Sequence, residues 1–125
     1  MINFLMISLV MNKLFKKSPS TYNVLGDFMY KNIKAKDLEL FNNAHIIDIR
    51  DKQKYNNGHI MNANNIFFND LLINYKKYLS KNDRYYIYCQ KGNQSKLICK
   101  ILDNLGYSVV NISDGYQGWK SDYKY

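Results

Sequence analysis

The sequence has few cysteines, prolines and acidic residues. It contains two cysteines, Cys89 and Cys99, and one proline among its 125 residues. Two cysteines without Cys-x-x-Cys spacing suit neither a disulfide framework nor a zinc site, so we expect a reducing compartment and no bound metal. The 10 Asp and Glu against 18 Lys and Arg leave a net charge of +8. Because these basic residues are scattered, the charge does not indicate binding to nucleic acid.

Long apolar runs are also missing, apart from a short one in residues 2–10 that is followed by Lys13, Lys16 and Lys17. A membrane-spanning helix takes about 20 apolar residues, and a secretory signal carries its positive charge before the apolar run. We therefore expect a cytoplasmic protein whose residues 1–17 can touch a membrane surface. The linker-like Ser18-Pro19-Ser20 indicates an amino-terminal segment at 1–29 and a folded domain at 30–125.

Short β-branched runs alternate with helical patterns through this domain. The runs at residues 45–49, 85–88 and 108–112 predict strands. Apolar residues recur at helical spacing over 68–79 and 97–105, and Gly106 is suited to end the second helix. The alternation predicts an α/β domain with a parallel sheet, helices on both faces, and a site beyond the carboxyl ends of the strands.

The segment after the second predicted strand carries the candidate nucleophile. Cys89 follows the apolar run directly, Gly92 permits a tight turn, and a helix is expected to begin near Ser95. Backbone amides of residues 90–95 and the amino end of that helix would stabilise a thiolate and bind an oxyanion, aided by Lys91. The alternative is a buried structural cysteine. Cys99 falls on the flank of the helix's apolar stripe, where we expect a structural or neutral role.

This arrangement resembles the rhodanese-like domains, in which a strand is followed by Cys, a six-residue cradle loop and a helix. Other segments are similar to motifs of the same family, and together they cover residues 31–119. These segments are Ile46-Ile47-Asp48-Ile49-Arg50, Gly58-His59-Ile60, Gly106 to Ile112, and Gly115 to Trp119. The resemblance implies a central parallel sheet of about five strands.

The resemblance also implies a thiosulfate sulfurtransferase without a metal or organic cofactor. Cys89 would take the outer sulfur of thiosulfate, or of a protein persulfide, and pass it to a thiol or to cyanide. The loop would bind the substrate, and hydrogen bonds from a second set of residues would support the site. The loop residues are Gln90, Lys91, Gly92, Asn93, Gln94 and Ser95, and the supporting residues are Asp48, Arg50 and His59.

Two positions depart from the family pattern. Gln94 stands where the family often has an Arg that binds the anionic end of the substrate, and Asp114 stands where the first of two Gly often lies. An interaction or sulfur-carrier module therefore remains an alternative to a thiosulfate enzyme. A phosphatase of the related fold is disfavoured, because its loop needs a closing Arg and this loop has Ser95 instead.

Overall fold

Five parallel strands form the central sheet of the computed structural model, which describes residues 30–122. The strands are β1 (Lys31–Ile33), β2 (His45–Asp48), β3 (Asn64–Asn65), β4 (Arg84–Tyr88) and β5 (Ser108–Ile112). Their spatial order is β1-β5-β4-β2-β3, so β4 lies at the centre. The predicted parallel sheet is confirmed. Residues 1–29 and 123–125, including the predicted amino-terminal segment and linker, lie outside the described residues.

Helical segments connect these strands. They are a 3-10 helix (Ala35–Leu40), α1 (Lys52–Asn56), α2 (Phe68–Ile73), α3 (Tyr75–Tyr78), α4 (Asn93–Asn104) and α5 (Gly115–Asp122). None of the helices described between residues 30 and 122 is long and apolar enough to cross a membrane.

Apolar side chains pack on the two faces of the sheet in two clusters. Along β4, Tyr85 and Ile87 belong to one cluster, whereas Tyr86 and Tyr88 belong to the other. This division follows from the alternation of side chains along a strand. The first cluster contains side chains of α2, α3 and α4, and the second contains side chains of the 3-10 helix and α5. Helices therefore cover both faces of the sheet, as predicted, and the carboxyl end of β4 lies between the two helical layers.

The helical pattern over residues 68–79 forms two short helices instead of one. Asn74 separates them with φ −115° and ψ 34°. Its side-chain amide donates to Asp70 Oδ1 at 2.8 Å, and its backbone N–H donates to the Asp70 carbonyl at 2.8 Å. The backbone N–H thus keeps a regular helical partner, and the ψ angle of 34° turns the chain out of the helix at Asn74, so the apolar spacing continues while the helix does not.

The flank position that the sequence gives Cys99 on α4 is buried in the structure. Its side chain is 0% exposed and belongs to the first apolar cluster. The helix α4 contacts α2 as well as β4 and β5, and Tyr30 packs against the same cluster, so more than the centre of its apolar stripe is covered. Burial raises the pKa of the Cys99 thiol, and the charge of the nearby Cys89 adds to this effect.

Candidate active site

Cys89 lies directly after the central strand β4, at the carboxyl-terminal edge of the sheet. Its Sγ accepts hydrogen bonds from the backbone N–H of Gly92 at 3.1 Å and of Ser95 at 3.4 Å. The Ser95 hydroxyl lies 3.4 Å from the same sulfur, and Ser95 is itself fully buried. Two backbone N–H dipoles thus converge on Sγ and can stabilise negative charge on it, whereas Ser95 Oγ accepts from the thiol and donates to the Gly92 carbonyl at 3.3 Å.

Gly92 makes this convergence possible. It has φ +101°, and a Cβ at this position would lie 2.0 Å from the Ser113 carbonyl oxygen. A side chain here would meet rigid backbone and would also hold a left-handed conformation that L residues rarely adopt. The glycine therefore lets the loop turn tightly enough for its own N–H to reach the sulfur.

The helix α4 begins at Asn93, immediately after this turn and two residues earlier than expected. The amino end of this 12-residue helix carries a partial positive charge and faces Cys89. Within the described part of the chain, the backbone amides of Lys91, Asn93 and Gln94 donate to no protein acceptor. The loop is therefore a nest of donors suited to an anion, as the sequence suggested.

A cleft of about 270 Å³ opens in front of this nest, and we call it the cysteine cleft. Its lining residues are Lys54, Cys89, Gln90, Lys91, Asn93 and Gln94. Lys54 was not anticipated from the sequence. It lies on α1, and its ammonium forms no salt bridge with any residue between 30 and 122. The cleft therefore carries two cationic side chains, Lys54 and Lys91, although Gln94 is uncharged.

Asp48 and Arg50 form a buried ion pair behind the loop. Arg50 Nη2 lies 2.7 Å from Asp48 Oδ2, and Arg50 Nε donates to both carboxylate oxygens at 3.1 Å. Arg50 also donates to the Gly58 carbonyl at 2.6 Å and to Gln90 Oε1 at 3.1 Å. Burial opposes the charge of Arg50, but the hydrogen bonds and charge of Asp48 outweigh it and raise the guanidinium pKa. The pair therefore connects Gly58, in the turn after α1, to Gln90, the first residue of the cradle loop.

Tyr88 completes this network from the end of β4. Its hydroxyl donates to Asp48 Oδ2 at 2.5 Å and accepts from the Ile60 backbone N–H at 3.0 Å. Burial and the hydrogen bond to Asp48 raise the Tyr88 pKa well above its ordinary value. The sequence indicated Tyr88 only as a strand residue, because a tyrosine in an apolar run does not reveal its polar partners.

His59 lies to one side of this network. Its Nδ1 is 2.9 Å from the Tyr55 carbonyl oxygen, and its ring stacks on that of Tyr55 with centroids 3.8 Å apart. This contact with backbone is the one expected from the sequence. His59 does not line the cysteine cleft.

The amino end of α5 holds the loop from the other side. Tyr116 N–H donates to the Cys89 carbonyl at 2.9 Å, and Gln117 N–H donates to the Gln90 carbonyl at 3.0 Å. A Cβ on Gly115 would lie 2.5 Å from the Cys89 carbonyl oxygen, so this close approach requires glycine. Asp114 Oδ1 accepts from the Ala35 N–H at 2.8 Å, which joins α5 to the 3-10 helix.

Comparison with known proteins agrees with this geometry. The model of the Rhodanese-like domain family matches residues 29–122. The chain belongs to the rhodanese-like domain family. The resemblance inferred from the sequence is thereby confirmed.

Two relatives and one solved structure illustrate the similarity of this rhodanese-like domain to others. YtwF of Bacillus subtilis is 29% identical over 87 residues, which are 70% of this chain and 84% of YtwF. The thiosulfate sulfurtransferase GlpE of Tolumonas auensis is 31% identical over 81 residues, which are 64% of this chain and 76% of GlpE. The crystal structure of a rhodanese-related protein from Thermoplasma volcanium has a TM-score of 0.70 at 29% identity, covering 75% of this chain and 94% of that one.

Proposed function

We propose that this rhodanese-like domain is a sulfurtransferase that carries a sulfane sulfur as a persulfide on Cys89. The observation that carries the proposal is the position of Cys89 Sγ, which accepts hydrogen bonds from the N–H groups of Gly92 and Ser95 and faces a cleft lined by Lys54 and Lys91. Similarity to a relative named thiosulfate sulfurtransferase supports this type of enzyme.

In the first step, the Cys89 thiolate attacks the outer sulfur of thiosulfate. A bond forms between Sγ and that sulfur, the sulfur–sulfur bond of thiosulfate breaks, and sulfite leaves with the bonding electron pair. The free amides of the loop and the N–H groups at Sγ would stabilise the negative charge throughout the step. No oxidant or reductant is consumed, because sulfur is transferred between two nucleophiles.

In the second step, a thiolate or cyanide attacks the outer sulfur of the persulfide. The new bond forms to the acceptor, the bond to Sγ breaks, and its electron pair returns to Cys89. With cyanide the product is thiocyanate. After the first step the negative charge lies on the outer sulfur of the persulfide, and after the second step it lies again on Sγ. The N–H donors of the loop would stabilise the charge at both positions.

Lys54 and Lys91 supply the positive charge that Gln94 does not. Both line the cysteine cleft, and neither forms a salt bridge with the part of the chain that the structure describes. A substrate such as thiosulfate, with anionic oxygens at one end and an electrophilic sulfur at the other, would place its oxygens between these lysines and its outer sulfur at Cys89.

Asp48, Arg50 and Gln90 support the reaction indirectly. Arg50 holds the side chain of Gln90, the residue after the nucleophile, and Asp48 holds Arg50. We assign them a positioning role, together with His59 in the turn beside them. Gly92, Asn93, Gln94 and Ser95 provide the cradle itself.

The mass of the intact protein tests the proposal. Protein incubated with thiosulfate under non-reducing conditions should gain one sulfur mass, and cyanide should remove it. Cys89→Ser should show no gain, whereas the matched variant Cys99→Ser should behave like the wild type.

A protein persulfide donor, such as a cysteine desulfurase, is the second candidate for the first step, because Gln94 weakens the case for thiosulfate. Gain of sulfur from such a donor, with none from thiosulfate, would identify a sulfur carrier. Gain from neither donor would contradict the proposal and favour an interaction module.

A further inference from the structure

A second cleft lies beside the cysteine cleft and shares one wall with it. This α5 cleft, of about 460 Å³, is lined by Lys91, Asp114, Gln117, Gly118 and Ser121. Asp114 directly precedes α5, and Gln117, Gly118 and Ser121 follow it at helical spacing, so these four residues lie along one face of the helix. Lys91 belongs to both clefts.

The α5 cleft is held close to the nucleophile by backbone contacts. The N–H groups of Tyr116 and Gln117 donate to the carbonyls of Cys89 and Gln90 at 2.9 and 3.0 Å. These hydrogen bonds hold the first turn of α5 next to Cys89, the residue that would carry the persulfide. Since Lys91 lines both clefts, a molecule bound in the α5 cleft would have to extend past this side chain to contact the sulfur of Cys89.

The α5 cleft presents one anionic and one cationic group that do not neutralise each other. Asp114 Oδ1 accepts from Ala35 N–H, but Oδ2 has no hydrogen-bond partner among residues 30–122. A Cβ on Gly118 would lie 2.1 Å from Oδ2, so the carboxylate packs against this glycine and a side chain at position 118 would displace it. Lys91 forms no salt bridge with Asp114 or with any other described residue.

Two opposite charges that share a cleft without pairing fit a ligand that carries both charges itself. We propose that the α5 cleft is an acceptor subsite for an amino-acid thiol such as L-cysteine. Its ammonium group would bind Asp114 Oδ2, its carboxylate would bind Lys91, and its thiol would point past Lys91 towards Cys89. The proposal rests on the proposed function, since it requires a persulfide on Cys89.

The transfer itself is balanced. The acceptor thiol releases its proton to solvent, and its thiolate forms a bond to the outer sulfur of the persulfide. The bond between that sulfur and Cys89 Sγ breaks, and the electron pair stays on Sγ. The acceptor leaves as its own persulfide, and the enzyme returns to the thiolate.

The test compares acceptors that differ in charge. Protein loaded with sulfur by thiosulfate, or by inorganic polysulfide where thiosulfate does not react, is discharged with L-cysteine and with 3-mercaptopropionate, which lacks the ammonium group. The ratio of the two discharge rates at low acceptor concentration is measured for the wild type and for Asp114→Asn. The intrinsic reactivity of each thiol cancels when the ratios are compared.

We expect Asp114→Asn to lower the ratio about fivefold, the effect of losing one charged contact at a partly exposed site. Asn keeps an oxygen for the Ala35 hydrogen bond, so the fold is retained. Lys120→Gln, an exposed change on α5 outside the cleft, should leave the ratio unchanged. An unchanged ratio in Asp114→Asn would overturn the subsite alone, whereas no discharge to any acceptor would overturn the proposed function as well.

A second measurement uses only the wild-type protein. L-Alanine, which has both charges but no thiol, should slow discharge by L-cysteine competitively, and propionate at the same concentration should not. Equal effects of the two compounds would contradict the assignment even where Asp114→Asn cannot be purified.

Discussion

Replacing Tyr88 by Phe tests whether the buried network behind the loop stabilises the fold. The change removes one hydroxyl and leaves the ring. Two hydrogen bonds are lost, one to the Asp48 carboxylate at 2.5 Å and one from the Ile60 N–H at 3.0 Å. A hydrogen bond to a charged group contributes about 1.5–3 kcal/mol, and a neutral one about 0.5–1.5 kcal/mol. We therefore expect the free energy of unfolding to fall by about 2–4 kcal/mol.

Equilibrium unfolding in urea, followed by far-UV circular dichroism, measures this loss. With a typical urea slope, the transition midpoint should move down by roughly 1–2 M. Tyr86→Phe is the matched control, because Tyr86 is buried on the same strand and its hydroxyl makes no hydrogen bond to any described residue. Tyr85→Phe, which loses only the bond from Ser80 N–H at 2.7 Å, should fall between the two.

Equal midpoints for Tyr88→Phe and Tyr86→Phe would refute this reasoning. That result would mean that the Asp48–Arg50 pair holds its geometry without the hydroxyl, and that the remaining partners satisfy the carboxylate. A loss of more than about 5 kcal/mol would also contradict it, because two hydrogen bonds do not account for so large an effect.

Three further predictions concern the loop, the cleft and the second cysteine. Gly92→Ala should abolish sulfur loading by thiosulfate in the intact-mass assay, whereas Gly106→Ala, also left-handed but facing only a flexible lysine, should still load. Lys54→Gln should raise the thiosulfate concentration for half-maximal loading roughly threefold to fivefold, and Lys52→Gln, outside the cleft, should not. Burial raises the pKa of Cys99, so as the pH rises above about 8.5 this thiol ionises in the unfolded chain before it ionises in the folded one. The free energy of unfolding should then fall by at most about 1.4 kcal/mol per pH unit. Cys99→Ala should reduce this dependence on pH, measured by urea unfolding at several pH values under reducing conditions.

The loop around Cys89 could be predicted because its determinants are local. Gly92 turns the chain, the helical pattern starts within a few residues, and the nucleophile precedes both. Backbone amides supply most of the cradle, and a strand–loop–helix sequence orients them whatever the distant residues are.

The burial of Cys99 and the position of Lys54 could not be predicted in the same way. A helical pattern indicates which face is most apolar, but not how many neighbours cover the helix. Tyr30 and α2 come from remote parts of the chain and close the flank where Cys99 lies. Lys54 reaches the cysteine cleft only because the parallel sheet places the carboxyl ends of β2 and β4 side by side.

The sequence by itself determined the α/β order, the parallel sheet and the place of the candidate nucleophile Cys89 directly after a strand, because periodicity and turn residues act over a few positions. Tertiary structure alone decided which charges meet at that end. It brings Lys54 to the cysteine cleft, joins Tyr88 to Asp48, and places Asp114 and Lys91 in the wall of the same α5 cleft. These outcomes depend on contacts between residues distant in the chain, whose relative positions are set only when the sheet and its helices pack together.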